Sequence, residues 1–436
     1  MESGLPIRAC GRNDQPADAL NAACFCLSLN PDALRQALKA ALEDPEVFTL
    51  IAQRCSSMLS ARPVFMSDHH ARQIQQLVQA IQSVVALPAY RSAVLATAPA
   101  IARHPPGVKA SGPTGVFFGY DFHLHEKGIA LIEINTNAGG AMLNAVLAKA
   151  QRACCAPVMA SLALHSAETF EQRIVAMFIN EWERAGRMVP LRTIALVDER
   201  PETQYLYPEF LLFQRLLRRH GVNMILADPA ALSFVGGALK HGDMPIDLVY
   251  NRLTDFMLEG ASSGALRAAY LAQAVVLTPH PQAHALFANK GNLAIFTDRE
   301  RLSALGVAQT TQAILLAGIP HTEIVDAAHA ERLWAERRTL FFKPVAGFGS
   351  RAAYRGEKIT KRVWQDILAG DYVAQRIALP SVRVTGPAQS DAPLKFDIRA
   401  YVYDGLVQWT AARLYEGQTT NFRTTGGGFA PVYTLP

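Results

Sequence analysis

No stretch of this 436-residue sequence is apolar for the ~18–20 residues that a membrane-spanning helix needs. The N-terminus also lacks the basic-then-apolar pattern of a secretory signal. Cysteine is scarce and one-sided: six fall at positions 10, 24, 26, 55, 154 and 155, and none follows. Neither Cys24 with Cys26 nor Cys154 with Cys155 has the spacing of a zinc site, so these thiols read as small buried hydrophobes in a reducing compartment. Excess charge is small as well. Forty-two basic residues face 37 acidic ones, a dispersed surplus of +5 that gives no footprint for nucleic acid and leaves room for an anionic substrate. There is no internal repeat and no low-complexity tract. The expectation is a soluble, cytoplasmic protein with neither a nucleic-acid nor a membrane partner. What is present is an ordinary globular balance, 50% hydrophobic and 18% charged, in a chain long enough for two or three cores.

Residues 1–29 show no clear period and are expected to be partly disordered. Asn30 and Pro31 form a helix start, cap then first helical position. Helical periodicity continues over 31–43, 46–59, 69–87 and 88–103, making 30–116 a helical region. Within it, Asp68, His69 and His70 read as a helix cap followed by exposed histidines. A β-hairpin is expected from 117 to 135 and helices over 141–185, giving a segment 117–190. Thr193–Val197, an amphipathic helix Tyr207–His220, and strands Val222–Ala227 and Ile246–Tyr250 then alternate as in a small parallel α/β domain at 191–280. Asn251 and Arg252 end one of its strands, where such sheets place ligands, although a structural ion pair would also suit Arg252. A third region covers 281–436. It carries helices near 298–305, 327–336 and 361–369, and a polar loop over 386–393.

The hairpin can be argued from parity. A three-residue loop centred on Lys127 puts Asp121 opposite Glu133. Strand alternation then places Asp121, Glu133 and Asn135 on one face, and Phe122, Leu124, Ala130, Ile132 and Ile134 on the other. Opposed like charges destabilise a strand pair, and a divalent cation would relieve them. A solvent-facing acidic patch is the plainer alternative.

Downstream, Lys343 ends a strand that enters a loop with Gly347 and Gly349. The run from Gly347 to Ala352 fits G-x-G-x-x-A. A dinucleotide fingerprint needs a helix directly after the glycines, however, and here Arg351–Arg355 reads as a strand. A glycine loop between antiparallel strands can still cradle phosphates through its N–H groups, with Lys343 adding a point charge. The strand Asp371–Ile377 leads into a hinge whose backbone could read an adenine edge. Asp397, Arg399 and Tyr401 share one face of the next strand, and Arg413 lies on the returning one. An arginine fork suits phosphate better than a lysine does.

Taken in order, Lys290, the segment Gly318–Thr322, Lys343 with Gly347 and Gly349, the hinge, Asp397 with Arg399, Arg413, and Asn421 through Gly427 resemble the ATP-grasp superfamily. In that family a G-x-D strand and an E-x-N strand normally follow. Here Gly119-Tyr-Asp121 and Glu133-Ile-Asn135 come first, so the chain resembles a circularly permuted ATP-grasp protein of the glutathione synthetase or glutathionylspermidine synthase type. The resemblance covers roughly 280–436 plus 117–140. It implies an α+β and α/β architecture: a permuted ATP-grasp fold, a small preceding parallel α/β domain at 191–280, and the N-terminal helical region.

The same resemblance implies the roles. Lys290 and Lys343 would contact the phosphates of ATP, with Gly347, Gly349 and Ser350 in a lid above them. Val373 to Gln375 would hold adenine. Asp121, Glu133 and Asn135 would bind Mg²⁺, and Arg399 and Arg413 would stabilise the transferring phosphoryl group. One departure is the absence of an acidic residue just past the hinge, where the sequence reads Arg376-Ile-Ala-Leu-Pro380. The implied activity is an ADP-forming ligase that joins a small-molecule or peptide carboxylate to an amine, or to a thiol, through an acyl phosphate. A small-molecule kinase and a non-catalytic ATP-binding regulator are the alternatives. The helical region is left open as a lid, a homodimer surface or a substrate cap.

Overall fold

The computed structural model describes residues 17–23, 31–42, 44–54, 57–107, 112–126, 128–150, 167–347, 349, 352–384 and 393–435. All six cysteines, Asn30, Lys127, Ser350, Arg351 and most of the polar loop 386–393 lie outside these residues.

The largest sheet joins distant parts of the chain. Its strands run in the order Val64–Ser67, Gly428–Leu435, Leu406–Tyr415, Leu394–Tyr403, Phe118–His125 and Gly128–Asn135, with Ser381–Arg383 also pairing to Leu394–Tyr403. Only the first pair is parallel. The expected hairpin thus pairs with the C-terminal strands, with Asp121 opposite Arg399. Its turn differs from expectation. His125 pairs with Gly128, so the loop has two residues rather than three, and a bulge at Ile132 restores Asp121 to its place opposite Glu133. The bulge changes the face assignment. Ile129, Leu131 and Ile134 join the core with Phe122 and Leu124, while Ile132 turns to the opposite side.

The apolar back of this sheet is covered by helix Asp68–Val85, which answers part of what the helical region does. Ser67 rather than Asp68 caps it, accepting from His70 N at 3.1 Å. Ile74, Leu77, Val78 and Ile81 recur at helical spacing and pack on the core with Phe122, Ile398 and Leu414. His70, expected to be exposed, is buried, and its Nε2 donates to His125 O at 3.0 Å. Pro31–Leu42, Pro45–Arg54, and Pro88–Thr97 with Ala100–Arg103 account for the other helices expected in this region.

Two elements near the N-terminus went unanticipated. Strand Val64–Ser67 extends the sheet, and helix Ala17–Ala23 falls in the stretch expected to lack structure. Asn21 on that helix binds both backbone groups of Phe65, at 2.8 and 2.9 Å, and so closes the outer edge of the sheet. The fully buried Arg383 donates to Asn21 O and Pro63 O beside it.

Between the two halves of the large sheet, the chain forms a four-stranded, all-parallel sheet in the order Val276–Thr278, Leu248–Asn251, Thr193–Val197 and Asn223–Ala227. Leu232–Val235 and Ala238–His241 add a hairpin that the sequence reading did not include. Glu181 fastens this unit to the large sheet. It has no exposed surface and accepts from Thr114 N, Gly115 N, Thr278 Oγ1 and Tyr403 OH. Burial pushes its carboxyl up, against those donors. Arg252 proves structural rather than ligand-facing. It is buried, donates to Asn137 O and lies near Glu209 and Asp198.

The last sheet is antiparallel, in the order Thr322–Ile324, Tyr372–Arg376, Leu340–Pro344 and Tyr354–Arg355. Helix Lys361–Ala369, capped by Thr360, backs it through Trp364 and Ile367.

The turn after Asn135 is the tightest point of the large sheet. Gly140 sits at φ +97°, and a Cβ there would fall 2.1 Å from the Phe429 ring. Gly140→Ala is therefore expected to cost about 2 kcal/mol or more. The shift of the urea midpoint relative to wild type measures it.

Candidate active site

A cavity of about 400 Å³ opens between the polar face of the large sheet and the small antiparallel sheet. Asp121, Glu133, Asn135, Arg399 and Arg413 line it from the large sheet; Lys343 and Gln375 line it from the small one. Lys290, Gly347 and Gly349 complete the rim. These are ten of the twelve residues singled out in the sequence. Ser350 lies outside the described residues.

Val373 does not line the cavity. Its strand is the second of the four in the small sheet, with Val373 opposite Ile324 on one side and Lys343 on the other. A strand bonded on both sides has few backbone groups to offer a ligand. The cavity is instead bordered by Gln375 and the next stretch, Arg376 to Pro380.

Asp121 is the centre of the charge arrangement. Arg399 Nε and Nη2 donate to its two oxygens at 2.7 Å each, and Arg413 Nη2 lies 2.9 Å from Oδ2. Arg413 in turn grips Asp397 through Nε and Nη2 at 2.7 and 2.9 Å. Thr420 Oγ1 also donates to Asp397. Burial works against the Asp121 carboxylate, but Arg399 and then Arg413 outweigh it and hold its carboxyl below the ordinary range. Burial likewise opposes the charge on Arg413, and Asp121 and Asp397 more than offset it.

Asp121, expected as a cation ligand, is engaged here by both arginines. Two guanidinium groups already relieve the repulsion from Glu133. Among the described residues, no group of three or more His, Cys, Asp or Glu side chains gathers as a metal centre. Glu133 and Asn135 remain available donors. Asn135 Nδ2 bridges Asp121 Oδ2 and Glu133 Oε1 at 3.2 Å each, and Lys290 Nζ lies 4.0 Å from Glu133 Oε2. Two such residues fit Mg²⁺, which usually keeps water and takes its remaining oxygens from substrate phosphates.

The lysines hold the facing wall. Lys290 Nζ donates to Gly347 O at 2.7 Å, fixing the start of the glycine loop. Lys343 is buried and donates to Ile132 O at 2.9 Å and Gln375 Oε1 at 2.7 Å. Gln375 passes the chain of bonds to Thr322 Oγ1. Burial lowers the Lys343 ammonium to about 8. In all, seven basic side chains and three acidic ones line the cavity, a balance that favours a polyanion.

Two functional candidates escaped the sequence reading. His123 lines the cavity, and its Nδ1 donates to Ala378 O at 2.7 Å, tying the hairpin to the hinge. It lies two residues after Asp121, so strand parity alone could have placed it there. Thr420 lies just before the segment Asn421–Gly427. Nothing in the sequence pointed to its contact with Asp397.

No protein-family model matches the chain, and no curated protein matches its sequence. Solved structures do. A glutathione synthetase-like effector of Globodera pallida aligns over 94% of this chain and 98% of its own, at TM-score 0.55 and 11% identity. A candidate gamma-glutamylcysteine synthetase of Methylobacillus flagellatus covers 83% of this chain and 87% of its own, at TM-score 0.44 and 10% identity. The ATP-grasp ligase PsnB, complexed with a minimal precursor, covers 56% and 90%, at 0.30 and 12%. The first of these shows the architecture alone: the chain shares the fold of a glutathione synthetase-like protein.

The buried Lys343 yields a test of the site. Below pH 8 its charge is held in the folded protein at a cost. Between pH 8 and the ordinary lysine value of 10.5 the unfolded chain binds the proton that the folded one has lost, so stability rises with pH, by at most about 1.4 kcal/mol per unit. Urea midpoints of wild type and Lys343→Gln should therefore diverge in favour of wild type from pH 8 to 10. Parallel curves would place the lysine in a solvated setting.

Proposed function

We propose that this chain is an ATP- and Mg²⁺-dependent ligase that activates a carboxylate as an acyl phosphate and transfers the acyl group to an amine. The observation that carries the proposal is the convergence, in one cavity of an ATP-grasp fold, of two lysines at a glycine loop and an open carboxylate–carboxamide pair, Glu133 and Asn135. A bare nucleotide-binding protein does not need that pair beside two guanidinium groups.

In this reading Lys343 and Lys290 meet the phosphates, and Gly347 and Gly349 lie over them. Gly349, at φ +63°, takes a backbone conformation open to glycine, which lets loop N–H groups approach an anion. Glu133 and Asn135 would hold Mg²⁺, Asn135 through its Oδ1. The ion supplies charge neutralisation at the transferring phosphoryl group. Arg399 and Arg413 use Nε and Nη2 on Asp121 and Asp397, and their Nη1 groups carry no hydrogen bond among the described residues. Those free ends are the donors that would meet the acyl phosphate. Asp121 and Asp397 act through them, as positioning residues. Residues 377–380 border the base, with His123 bracing the turn at Ala378.

The chemistry balances without covalent participation by the protein. A carboxylate oxygen attacks the γ-phosphorus and ADP leaves. The amine nitrogen then bonds to the acyl carbon, and phosphate departs with the electron pair. Closure of the loop would keep water from the intermediate. The hairpin precedes the strands it pairs with, the order that a circular permutation of the family fold would produce. No helix among the described residues is long and apolar enough to cross a membrane.

Glu133→Gln is expected to lower ADP formation by at least a hundredfold while the melting curve stays that of wild type. Unchanged turnover would remove Glu133 from the metal role. Lys343→Ala should weaken ATP binding at least tenfold by calorimetry. ADP and free phosphate should appear only when carboxylate and amine are both supplied.

A further inference from the structure

Behind the glycine loop lies a second cavity of about 890 Å³, more than twice the volume of the first. Gly347 lines both. Distant segments build it, among them helix Pro88–Thr97, the loop 254–259 that follows strand Leu248–Asn251, and helix Gly291–Phe296. Its character is divided. Val94, Ile295, Leu305 and Ile324 make an apolar wall, and Ile324 remains 41% exposed. Across from it the loop brings Asp255 and Glu259. Asp255 is fixed there, accepting from Glu259 N, Gly260 N and Ser263 Oγ at 2.8–2.9 Å. The one basic side chain in the lining, Arg301, is turned toward Asp298 at 3.3 Å.

The cavity is also joined mechanically to the first site. Phe256 stacks on His284, with centroids 3.8 Å apart and planes at 11°. His284 opens a single π-helical turn, His284–Ala288, a distortion found disproportionately at functional positions. Its Nδ1 lies 3.1 Å from Thr136 Oγ1, on the residue directly after Asn135.

We propose that this second cavity receives the amine substrate of the ligase, and that this amine carries a bulky apolar side chain. The assignment rests on the ligase reading above and adds the acceptor's class to it. An amine is cationic at neutral pH, and the two acidic residues of the loop attract it. The apolar wall takes the side chain. The volume is within the range of sites for drug-sized ligands and far exceeds the needs of an amine as small as glycine. Gly347, shared by both cavities, puts the amine beside the place where the acyl phosphate forms. On transfer the C–N bond forms and the bond from the acyl carbon to the phosphate oxygen breaks. Of the two protons the ammonium loses, one goes to the departing phosphate and one to solvent.

L-Leucinamide is the probe, because its blocked carboxyl keeps it from acting as the activated substrate. In ligand-observed NMR titrations of the full chain it should bind, while glycinamide and N-acetyl-L-leucinamide bind at least tenfold more weakly. Ala93→Trp and Ala304→Trp each place an indole at an exposed alanine of the lining. Each should weaken leucinamide binding at least tenfold and leave ATP affinity and melting temperature unchanged. Failure of leucinamide to bind wild type, equal binding of the acetylated analogue, or indifference to both tryptophans overturns the acceptor assignment. Absence of ATP binding to wild type, or ATP binding indifferent to Lys343→Ala, would instead overturn the ligase reading. The two failures are read by separate titrations.

Discussion

The structure depends on one buried chain of charge: Arg399 to Asp121, Asp121 to Arg413, Arg413 to Asp397. Four ionised groups taken from water carry a desolvation cost of several kcal/mol each, which only near-complete pairing offsets. The pairing here is bidentate at both ends. It also spans the two seams at which the hairpin, the strand Leu394–Tyr403 and the strand Leu406–Tyr415 meet. Removing one member leaves its partners charged and buried, so the register of all three strands is held by the same bonds that orient the arginines. Stability and site geometry are one constraint.

That coupling also explains what the sequence could reveal. Alternation puts Asp121, Glu133 and Asn135 on one face of the hairpin, and Asp397 and Arg399 on one face of their own strand, because period two is a local property of strands. Pairing between these segments is not local. Parity cannot say that an arginine 278 residues away meets the opposed carboxylate of Asp121. The bulge at Ile132 was hidden for a similar reason. A two-residue turn with a bulge and a three-residue turn without one give the same opposition of Asp121 and Glu133, and they differ in whether Ala130 and Ile132 or Ile129 and Leu131 face the core.

The hinge illustrates a further limit. From its own residues the run Asp371–Ile377 reads as a strand leading into a hinge. Only the arrival of Thr322–Ile324 on its other side consumes its backbone and moves the open groups past Arg376. The second cavity was invisible altogether. Ala93, Asp255 and Gly347 come from three regions with no shared motif, and only packing puts them around one space.

The order of strands has a consequence for how the protein is made. Asp121 leaves the ribosome 278 residues ahead of Arg399, an interval on the order of tens of seconds at typical elongation rates. Throughout that time the hairpin has a core face with only part of its cover and an outer edge with no neighbour. The nascent chain therefore carries an open strand edge flanked by an uncompensated Asp–Glu pair. The edge of Phe118–His125 gains its partner only when Leu394–Tyr403 emerges.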